Sequence, residues 1–207
     1  MKSSTHLWLV RHAEVEARYQ KVFGGRIDME LSPRGHEQAA TLAHWLQRQP
    51  IEFSYASPMQ RVRQTLAPAL VHGIPAPVVL PDLREVDFGD WTGHSWDEVQ
   101  EKFGVSAFDW LNQLDRGAIR NAETGASYRA RVEPCVRQIL REQPGRSVGV
   151  FCHGGVIRMI LAILLELPLT KMAAFEIDYA SVTKISLFPH KTEVQFLNFA
   201  PWRETAP

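Results

Sequence analysis

The chain has 207 residues with 23 Lys and Arg against 23 Asp and Glu, so its formal net charge is zero. Apolar residues make up 45% and charged residues 22%, which is typical of a globular domain and excludes a collagen-like or disordered chain. A binder of nucleic acid usually carries a basic excess, and this sequence has none. We therefore expect a single domain over residues 1–207 that binds no nucleic acid.

Neither a membrane segment nor a disulfide framework is indicated. The apolar run at residues 7–10 is too short for a signal peptide, and the stretch 156–167 is too short to cross a bilayer and is interrupted by two charged residues. The two cysteines, Cys135 and Cys152, lack the CxxC spacing of structural zinc and redox sites. These features predict a cytoplasmic protein with no membrane partner.

Short apolar runs alternate with amphipathic segments in the first part of the chain. Ser32-Pro33 is typical of an N-cap followed by the first residue of a helix, and Ser57-Pro58 repeats that pattern before a helix that Pro68 ends or kinks. The predicted elements are a strand at 6–10, a helix at 33–48, a strand at 53–56, a helix opened by Ser57-Pro58 and a strand at 78–80.

The second part of the chain begins with a segment of loose pattern. Residues 86–126 contain many aromatic residues and glycines without a clean strand, which predicts a small helical cap insertion. The elements predicted after it are a helix at 127–142 with a kink at Pro134, a buried strand at 147–152, a helix at 156–166, and a hairpin of strands at 180–188 and 193–199. Such alternation predicts the α/β class, as a three-layer sandwich with a mostly parallel central sheet.

Polar residues stand where the predicted strands end. In a mostly parallel sheet, ligands bind beyond the carboxyl ends of the strands, so these residues are expected to lie around one crevice. They are Arg11 and His12 after the first strand, Ser57 to Arg61 after the second, Glu85 after the third, and His153, Gly154 and Gly155 after the central one.

These residue types suit the transfer of a phosphoryl group. An arginine fork pairs with phosphate oxygens, and a neutral histidine can attack phosphorus. A glutamate can protonate the leaving alkoxide and then deprotonate the attacking water. Gly154 and Gly155 let the backbone approach an anion at the start of a helix. Each signal alone is weak, and their occurrence at successive strand ends is what favours a phosphate site.

Five segments, in order along residues 7–160, resemble the signature motifs of the histidine phosphatase superfamily, in its phosphoglycerate mutase-like branch. They are Leu9–Glu14 (LVRHAE), Gly25–Ala39 (GRIDMELSPRGHEQA), Ala56–Thr65 (ASPMQRVRQT), Leu83–Gly93 (LREVDFGDWTG) and Cys152–Arg158 (CHGGVIR). The resemblance implies that His12 is the phosphorylated nucleophile and that Glu85 is the proton donor. It also implies a phosphate pocket of Arg11, Arg61 and His153, to which Gly154 adds its backbone, with no metal or cofactor.

The resemblance predicts a phosphomonoester hydrolase that acts on a small phosphorylated metabolite through a phosphohistidine. It is similar to α-ribazole phosphatases and related small phosphatases, and it does not select one substrate among them. A phosphoglycerate mutase is the first alternative, disfavoured because the chain lacks the longer insertions of dedicated mutases. A non-catalytic protein that binds phosphorylated ligands is the second. Oligomeric state is not predicted.

Two further features leave alternatives open. Arg18 stands where many mutase-like members have Asn, so it is a candidate for binding the substrate, and an ordinary surface role is equally favoured. Trp91, Trp96 and Trp110 lie in the predicted cap, where they either stack on a planar leaving group or pack in the core. Core packing is the favoured interpretation of the three tryptophans.

Overall fold

Six strands form one sheet in the computed structural model, which describes residues 4–203. The strands are β1 (Thr5–Arg11), β2 (Phe53–Ala56), β3 (Val78–Val79), β4 (Ser147–Cys152), β5 (Val182–Phe188) and β6 (Lys191–Phe199). Their order across the sheet is β3-β2-β4-β1-β5-β6. Strands β3, β2, β4 and β1 are parallel neighbours, β5 pairs antiparallel with β1, and β6 pairs antiparallel with β5, so the predicted, mostly parallel sheet is confirmed.

Helices cover both faces of this sheet. They are α1 (Pro33–Leu46), α2 (Gln60–Val71), α3 (Trp96–Phe103), α4 (Trp110–Asp115), α5 (Gly125–Glu142) and α6 (Gly154–Leu164). Alternate residues of β1 face opposite ways: Leu7 and Leu9 join the core under α5 and α6, and Trp8 and Val10 join the core under α1 and α2. A strand buried on both faces is typical of the centre of a parallel sheet.

The register of the parallel strands decides which residues meet at the carboxyl edge. Arg11 pairs with Cys152, and Ala56 pairs with Phe151. The residues that follow these strand ends, His12, Ser57 and His153, therefore emerge beside one another at the same edge of the sheet.

Of the two predicted helix N-caps, Ser32 and Ser57, the first is formed in the structure and the second is not. Ser32 caps α1 as predicted, because its hydroxyl oxygen accepts a hydrogen bond from the N–H of Gly35. Ser57 does not cap α2: the helix begins at Gln60 after Met59, and the Ser57 hydroxyl turns toward His153 instead. Pro68 lies inside α2 and does not end it, since the helix continues to Val71; having no N–H, the proline leaves one i−4 hydrogen bond of the helix unmade.

Several predicted boundaries shift by one or two residues, among them the starts of α5 at Gly125 and of β5 at Val182. Helix α6 begins at Gly154, two residues before the predicted start, because both glycines belong to its first turn, where they pack against other side chains of the site. The hairpin of β5 and β6 turns at residues 189–190, so that β6 begins at Lys191. Pro134 lies inside α5, as predicted.

The segment 86–126 contains α3, α4 and short 3₁₀ turns. Its apolar residues do not form a core of their own. Val99, Leu111 and Leu114 are fully buried and belong to the same cluster as the residues of α5 and α6. Within residues 4–203, no helix is both long and apolar enough to cross a bilayer.

Candidate active site

The polar residues at the strand ends meet at a cavity of about 480 Å³. Five of the six residues predicted for catalysis and phosphate binding line it: Arg11, His12, Arg61, Glu85 and Gly154. The sixth, His153, is fully buried directly behind His12, with 5.2 Å between the two ring centroids. The structure thus brings together residues that are up to 143 positions apart in the sequence, counting from Arg11 to Gly154.

The ring of His12 is held in one tautomer. Its Nδ1 donates to the carbonyl of Ala13 at 2.8 Å, and its Nε2 accepts from Nε of Arg61 at 3.2 Å. Burial, assisted by the charges of Arg61 and Arg11, lowers the pKa of His12 well below 6.5. The ring is therefore neutral near pH 7, and Nε2 carries the lone pair that a nucleophile needs.

Arg61 is fixed by the loop that precedes α1. Its two terminal nitrogens donate to the carbonyls of Ile27 at 2.8 Å and Gly25 at 2.9 Å. Burial lowers the pKa of Arg61 to about 10, with repulsion from Arg11 in the same direction and attraction to Glu85 opposing it. The guanidinium consequently stays charged at neutral pH although it is almost completely buried.

His153 is oriented by Ser57, which the sequence placed both at a helix N-cap and among the strand-end residues expected around the crevice. The Ser57 hydroxyl and Nε2 of His153 are hydrogen-bonded at 2.8 Å, and when the hydroxyl is the donor the ring proton lies on Nδ1. Burial, together with the charge of Arg61, lowers the pKa of His153 well below 6.5. Ser57 directly follows β2, as His12 follows β1 and His153 follows β4. This position is the signal that identifies Ser57 as a site residue.

Arg158 is the last residue of the motif Cys152–Arg158, but the sequence predicted no role for it. It lines the cavity, and Nη2 donates to the carbonyl of Phe175 at 2.9 Å. Burial, with the nearby charge of Arg11, lowers the pKa of Arg158. A Cβ added to Gly154 would lie 3.4 Å from both Nε of Arg11 and Nη1 of Arg158, so the two guanidinium groups flank the start of α6. Arg158 follows Gly154 by one helical turn in α6, and this spacing is the signal that places Arg158 at the cavity.

Arg11 is held by the loop before β5. Nη1 donates to the carbonyl of Ile177 at 2.6 Å, and the guanidinium carbon lies 4.0 Å from the ring centroid of Tyr179. The ring of Tyr179 also packs against that of His12, with 5.6 Å between centroids. Tyr179 therefore contacts both Arg11 and His12 of the first signature motif, although no spacing in the sequence connects it to them.

Three buried nitrogens at this end of the cavity have no hydrogen-bond partner within residues 4–203: Nε of Arg11, Nδ1 of His153 and Nε of Arg158. A buried polar group without a partner costs about 1–3 kcal/mol. Two of these nitrogens belong to the guanidinium groups of Arg11 and Arg158, and an anion with several acceptor oxygens is a partner that such cationic donors bind. The site therefore fits a phosphate group.

Glu85 is oriented mainly by backbone groups. Its Oε2 accepts from the N–H of Gly155 at 3.1 Å, and its Oε1 accepts from the N–H of Val86 at 3.0 Å and more weakly from the Tyr128 hydroxyl at 3.4 Å. A Cβ at Gly155 would lie 2.4 Å from Oε1 of Glu85, so glycine is required for this approach. Burial, with the charge of Glu85 in the same direction, raises the pKa of Tyr128 well above 10, and its hydroxyl remains protonated.

The backbone that carries Glu85 is anchored by an ion pair. Arg131 donates to the carbonyls of Arg84 at 2.8 Å and Glu85 at 3.1 Å, and its Nε lies 2.6 Å from Oε1 of Glu123. Glu123 in turn accepts from the N–H of Asp87 at 3.0 Å. These contacts fix the segment on both sides of Glu85.

Other motif residues position the turn after His12. The hydroxyl of Thr65 accepts from the N–H of Ala13 at 2.9 Å, and the side-chain oxygen of Gln38 accepts from the N–H of Glu14 at 3.0 Å. A Cβ at Gly35 would lie 2.0 Å from the carbonyl oxygen of Glu14, so only glycine lets α1 approach this turn. The motifs therefore support the nucleophile as well as supplying it.

Arg18 is not among the residues that line the cavity. Its side chain is 69% exposed and forms an ion pair with Glu16 at 3.1 Å. Its guanidinium carbon lies 4.8 Å from the ring centroid of Tyr19, and Tyr19 does line the cavity. Arg18 would have to leave Glu16 to reach a ligand in the cavity.

No group of three or more His, Cys, Asp and Glu side chains is arranged to hold a metal ion in the described part of the chain. Cys152 is fully buried next to the site, and burial raises the pKa of its thiol far above the ordinary value. Cys152 is thus a protonated thiol that fills space behind His153.

The two buried histidines make stability depend on pH. Below pH 6.5 the unfolded chain takes up protons that His12 and His153 exclude in the fold, so the free energy of unfolding is expected to fall as the pH falls. The slope is about 1.4 kcal/mol per pH unit for each histidine until it reaches its lowered folded-state pKa. Urea unfolding at pH 7.0, 6.0 and 5.5 measures this slope.

The double variant His12→Asn/His153→Asn is expected to flatten the slope, whereas the exposed His36→Asn leaves it unchanged. An unchanged slope in the double variant would show that other groups cause the pH dependence.

Comparison with known proteins identifies the family of the chain. The sequence profile of the histidine phosphatase superfamily (branch 1) matches residues 7–200. Phosphoserine phosphatase 1 of Hydrogenobacter thermophilus is 30% identical over 193 residues, which cover 93% of this chain and 91% of that protein. The adenosylcobalamin/alpha-ribazole phosphatase of Salmonella typhimurium is 27% identical over 199 residues, covering 95% and 98% of the two chains.

The fold also matches solved structures of phosphatases. A mycobacterial glucosyl-3-phosphoglycerate phosphatase superposes with a TM-score of 0.84 and 23% identity, over 95% of this chain and 99% of the other. A putative alpha-ribazole-5'-P phosphatase of Escherichia coli gives a TM-score of 0.81 with 25% identity, over 94% and 96% of the two chains.

Proposed function

The chain belongs to the histidine phosphatase superfamily (branch 1) and is a phosphatase, and we propose that it hydrolyses small phosphomonoesters through a phosphohistidine on His12. The observation that carries this proposal is the tautomer of His12. Nδ1 is tied to the carbonyl of Ala13, and Nε2 faces Nε of Arg61 at the mouth of the anion pocket. A neutral imidazole with its lone pair on Nε2 is the form that attacks phosphorus.

In the first step, Nε2 of His12 bonds to phosphorus as the bond from phosphorus to the leaving oxygen breaks. The proton of the Glu85 carboxyl goes to the leaving oxygen, so an alcohol departs rather than an alkoxide. Arg11, Arg61, Arg158 and Nδ1–H of His153 stabilise the equatorial oxygens, whose charge increases in the transition state.

In the second step, the Glu85 carboxylate takes a proton from water as the water oxygen bonds to phosphorus. The bond from phosphorus to Nε2 breaks, and its electron pair returns to a neutral His12. Inorganic phosphate leaves, and Glu85 is protonated again for the next cycle. One carboxyl group serves as acid and then as base because the leaving oxygen and the attacking water occupy the same side of phosphorus.

We further propose that the catalytic domain is the predicted single domain 1–207 and that residues 86–126 form its cap. Support comes from the burial of Val99, Leu111 and Leu114 in the main core, and from Trp96 and Trp110, which line the cavity. The ends of the predicted domain, residues 1–3 and 204–207, lie outside the described residues.

Product analysis tests the proposed reaction. With phenyl phosphate, and with chelator present, the enzyme is expected to release inorganic phosphate and to form a phosphoenzyme that is stable to alkali and labile to acid. With 3-phosphoglycerate, formation of 2-phosphoglycerate without free phosphate would indicate a mutase. Loss of activity with chelator would indicate a metal enzyme, and binding without turnover would indicate a non-catalytic protein.

A further inference from the structure

The cavity has two chemically different ends. The end at the strand termini holds the polar groups described above. The other end is lined by aromatic side chains from the segment before α1 and from the proposed cap: Phe23, Phe88, Trp96, Phe108 and Trp110. The sequence favoured core packing for the tryptophans, and the structure divides them. Trp91 is buried in the core, whereas Trp96 and Trp110 line the cavity.

Part of the aromatic lining is a fixed wall. Phe23 and Phe88 are 5% and 7% exposed, with 4.9 Å between their ring centroids, and Phe88 packs edge-on against Trp110 at 5.5 Å. These rings are held by one another and by the core, so their cavity-facing edges form a surface that is ready before a ligand arrives.

The rest of the aromatic lining is open to solvent. Trp96 and Phe108 form an edge-on pair with 5.1 Å between centroids, and they are 38% and 77% exposed. Phe108 is the most exposed phenylalanine of the described residues, and the next, Phe103, is 39% exposed. An exposed aromatic pair beside a cavity gains apolar burial when a ligand fills the space between the pair and the fixed wall.

The aromatic wall begins next to the reacting atoms, on the side of the leaving group. Glu85 is the proposed donor to the leaving oxygen, and Phe88 follows it by three residues along the same cavity. A Cβ added to Gly25 would lie 3.3 Å from Cδ2 of Phe88, and the carbonyl of Gly25 accepts from Arg61. The alcohol portion of a phosphomonoester bound at His12 therefore extends toward Phe88.

Charge is distributed unequally between the two ends. The cationic side chains that line the cavity within residues 4–203 are Arg11, Arg61 and Arg158, and all three belong to the phosphate end. The remaining acidic lining residues besides Glu85 are Glu176 and Asp178, and Asp178 is already paired with Arg203. Among the described residues, no cationic side chain lines the aromatic end to pair with a carboxylate on the leaving group.

We propose that Phe88, Trp96, Phe108 and Trp110 form a leaving-group subsite that selects phosphomonoesters of alcohols bearing a flat, uncharged aromatic ring. This proposal rests on the proposed function, because it assigns the phosphate of the substrate to His12 and Arg61. It also predicts discrimination against small leaving groups that carry a carboxylate. Arg18 offers the opposite prediction, since release from Glu16 would let it bind such a carboxylate at the rim.

Three substrates separate these two predictions: 2-phenylethyl phosphate, propyl phosphate and 3-phosphooxypropanoate. All are esters of primary alcohols, so differences in kcat/KM report on binding of the leaving group more than on its acidity. We expect kcat/KM for 2-phenylethyl phosphate to exceed that for propyl phosphate by roughly tenfold, the effect of one well-packed aromatic contact. The carboxylated substrate is expected to be the poorest of the three.

Phe108→Ala is the decisive variant, because the ring is so exposed that its removal does not threaten the fold. It is expected to lower kcat/KM for 2-phenylethyl phosphate by about fivefold or more and to leave that for propyl phosphate within about twofold. Phe188→Ala is the matched control, since Phe188 is an exposed phenylalanine at the end of β5 that lies away from the cavity. It is expected to change neither value.

Equal effects of Phe108→Ala on both substrates, or no effect on either, would overturn the subsite. Preference for 3-phosphooxypropanoate, lost on Arg18→Ala, would overturn it in favour of a carboxylate contact. Failure of the proposed function is distinguishable from either result, because the wild-type enzyme would then release phosphate from none of the three substrates.

Discussion

Replacing His12 with alanine is expected to lower the rate of phosphate release by about 10⁴-fold or more and to eliminate the phosphoenzyme. The variant lacks Nε2, the atom that forms the covalent intermediate, while Arg11, Arg61 and Glu85 remain. A water molecule that attacked phosphorus in place of His12 would occupy the position of the missing ring, where no side chain activates it. Steady-state release of phosphate from phenyl phosphate, together with quenched-flow trapping of labelled enzyme, measures both quantities.

Two further variants make this result interpretable. His12→Asn retains an N–H near the position of Nδ1, so it can still donate to the carbonyl of Ala13 and preserve the turn. It should fold with wild-type stability or better at pH 6 and remain inactive. His190→Ala changes an exposed histidine in the turn between β5 and β6 and should retain full activity. Undiminished turnover in either His12 variant would reject His12 as the nucleophile.

The strand-end residues were predictable because their geometry follows from topology. Once β1, β2 and β4 are parallel neighbours, His12 and His153 must leave the sheet at the same edge, whatever the rest of the chain does. Arg61 is the second residue of α2, so its approach to the same edge also follows from local structure. These positions needed only the strand assignments and the motifs.

Residues that orient the site through contacts distant in sequence were not predictable in the same way. Ser57 precedes a proline before a helix, a pattern that favours an N-cap, yet its hydroxyl bonds to a ring 96 residues away. Tyr179 and Ile177 reach Arg11 from the loop before β5, and no periodicity marks them. Local propensity cannot anticipate such contacts because their partners are set by how the layers pack.

The early start of α6 follows from the same limitation. Two adjacent glycines are poor helix formers, so the sequence favoured a helix that begins after them. In the structure the space that Gly155 leaves open is occupied by the carboxylate of Glu85, and its N–H is the donor that orients that carboxylate. The glycine that weakens the helix locally is thus the residue that lets the acid reach the anion pocket.

Glu85→Gln is expected to separate the two chemical steps. Glutamine has the same shape and can still accept from the N–H of Gly155, but it can neither give a proton to the leaving oxygen nor take one from water. With an alkyl phosphate, whose leaving group needs a proton, phosphorylation of His12 should slow by about 10²–10⁴-fold. With 4-nitrophenyl phosphate, whose leaving group departs as a stable anion, phosphorylation should stay within about tenfold of wild type.

The second step requires proton transfer with every substrate, because water must lose a proton whatever substrate supplied the phosphoryl group. Glu85→Gln with 4-nitrophenyl phosphate should therefore show a burst of about one nitrophenolate per enzyme, followed by slow turnover limited by hydrolysis of phosphohistidine. Glu176→Gln removes another carboxylate that lines the same cavity and should show no burst. A uniform loss for both substrates without accumulated phosphoenzyme would mean that Glu85 supports binding or structure rather than proton transfer, since only a proton donor is sensitive to the basicity of the leaving oxygen.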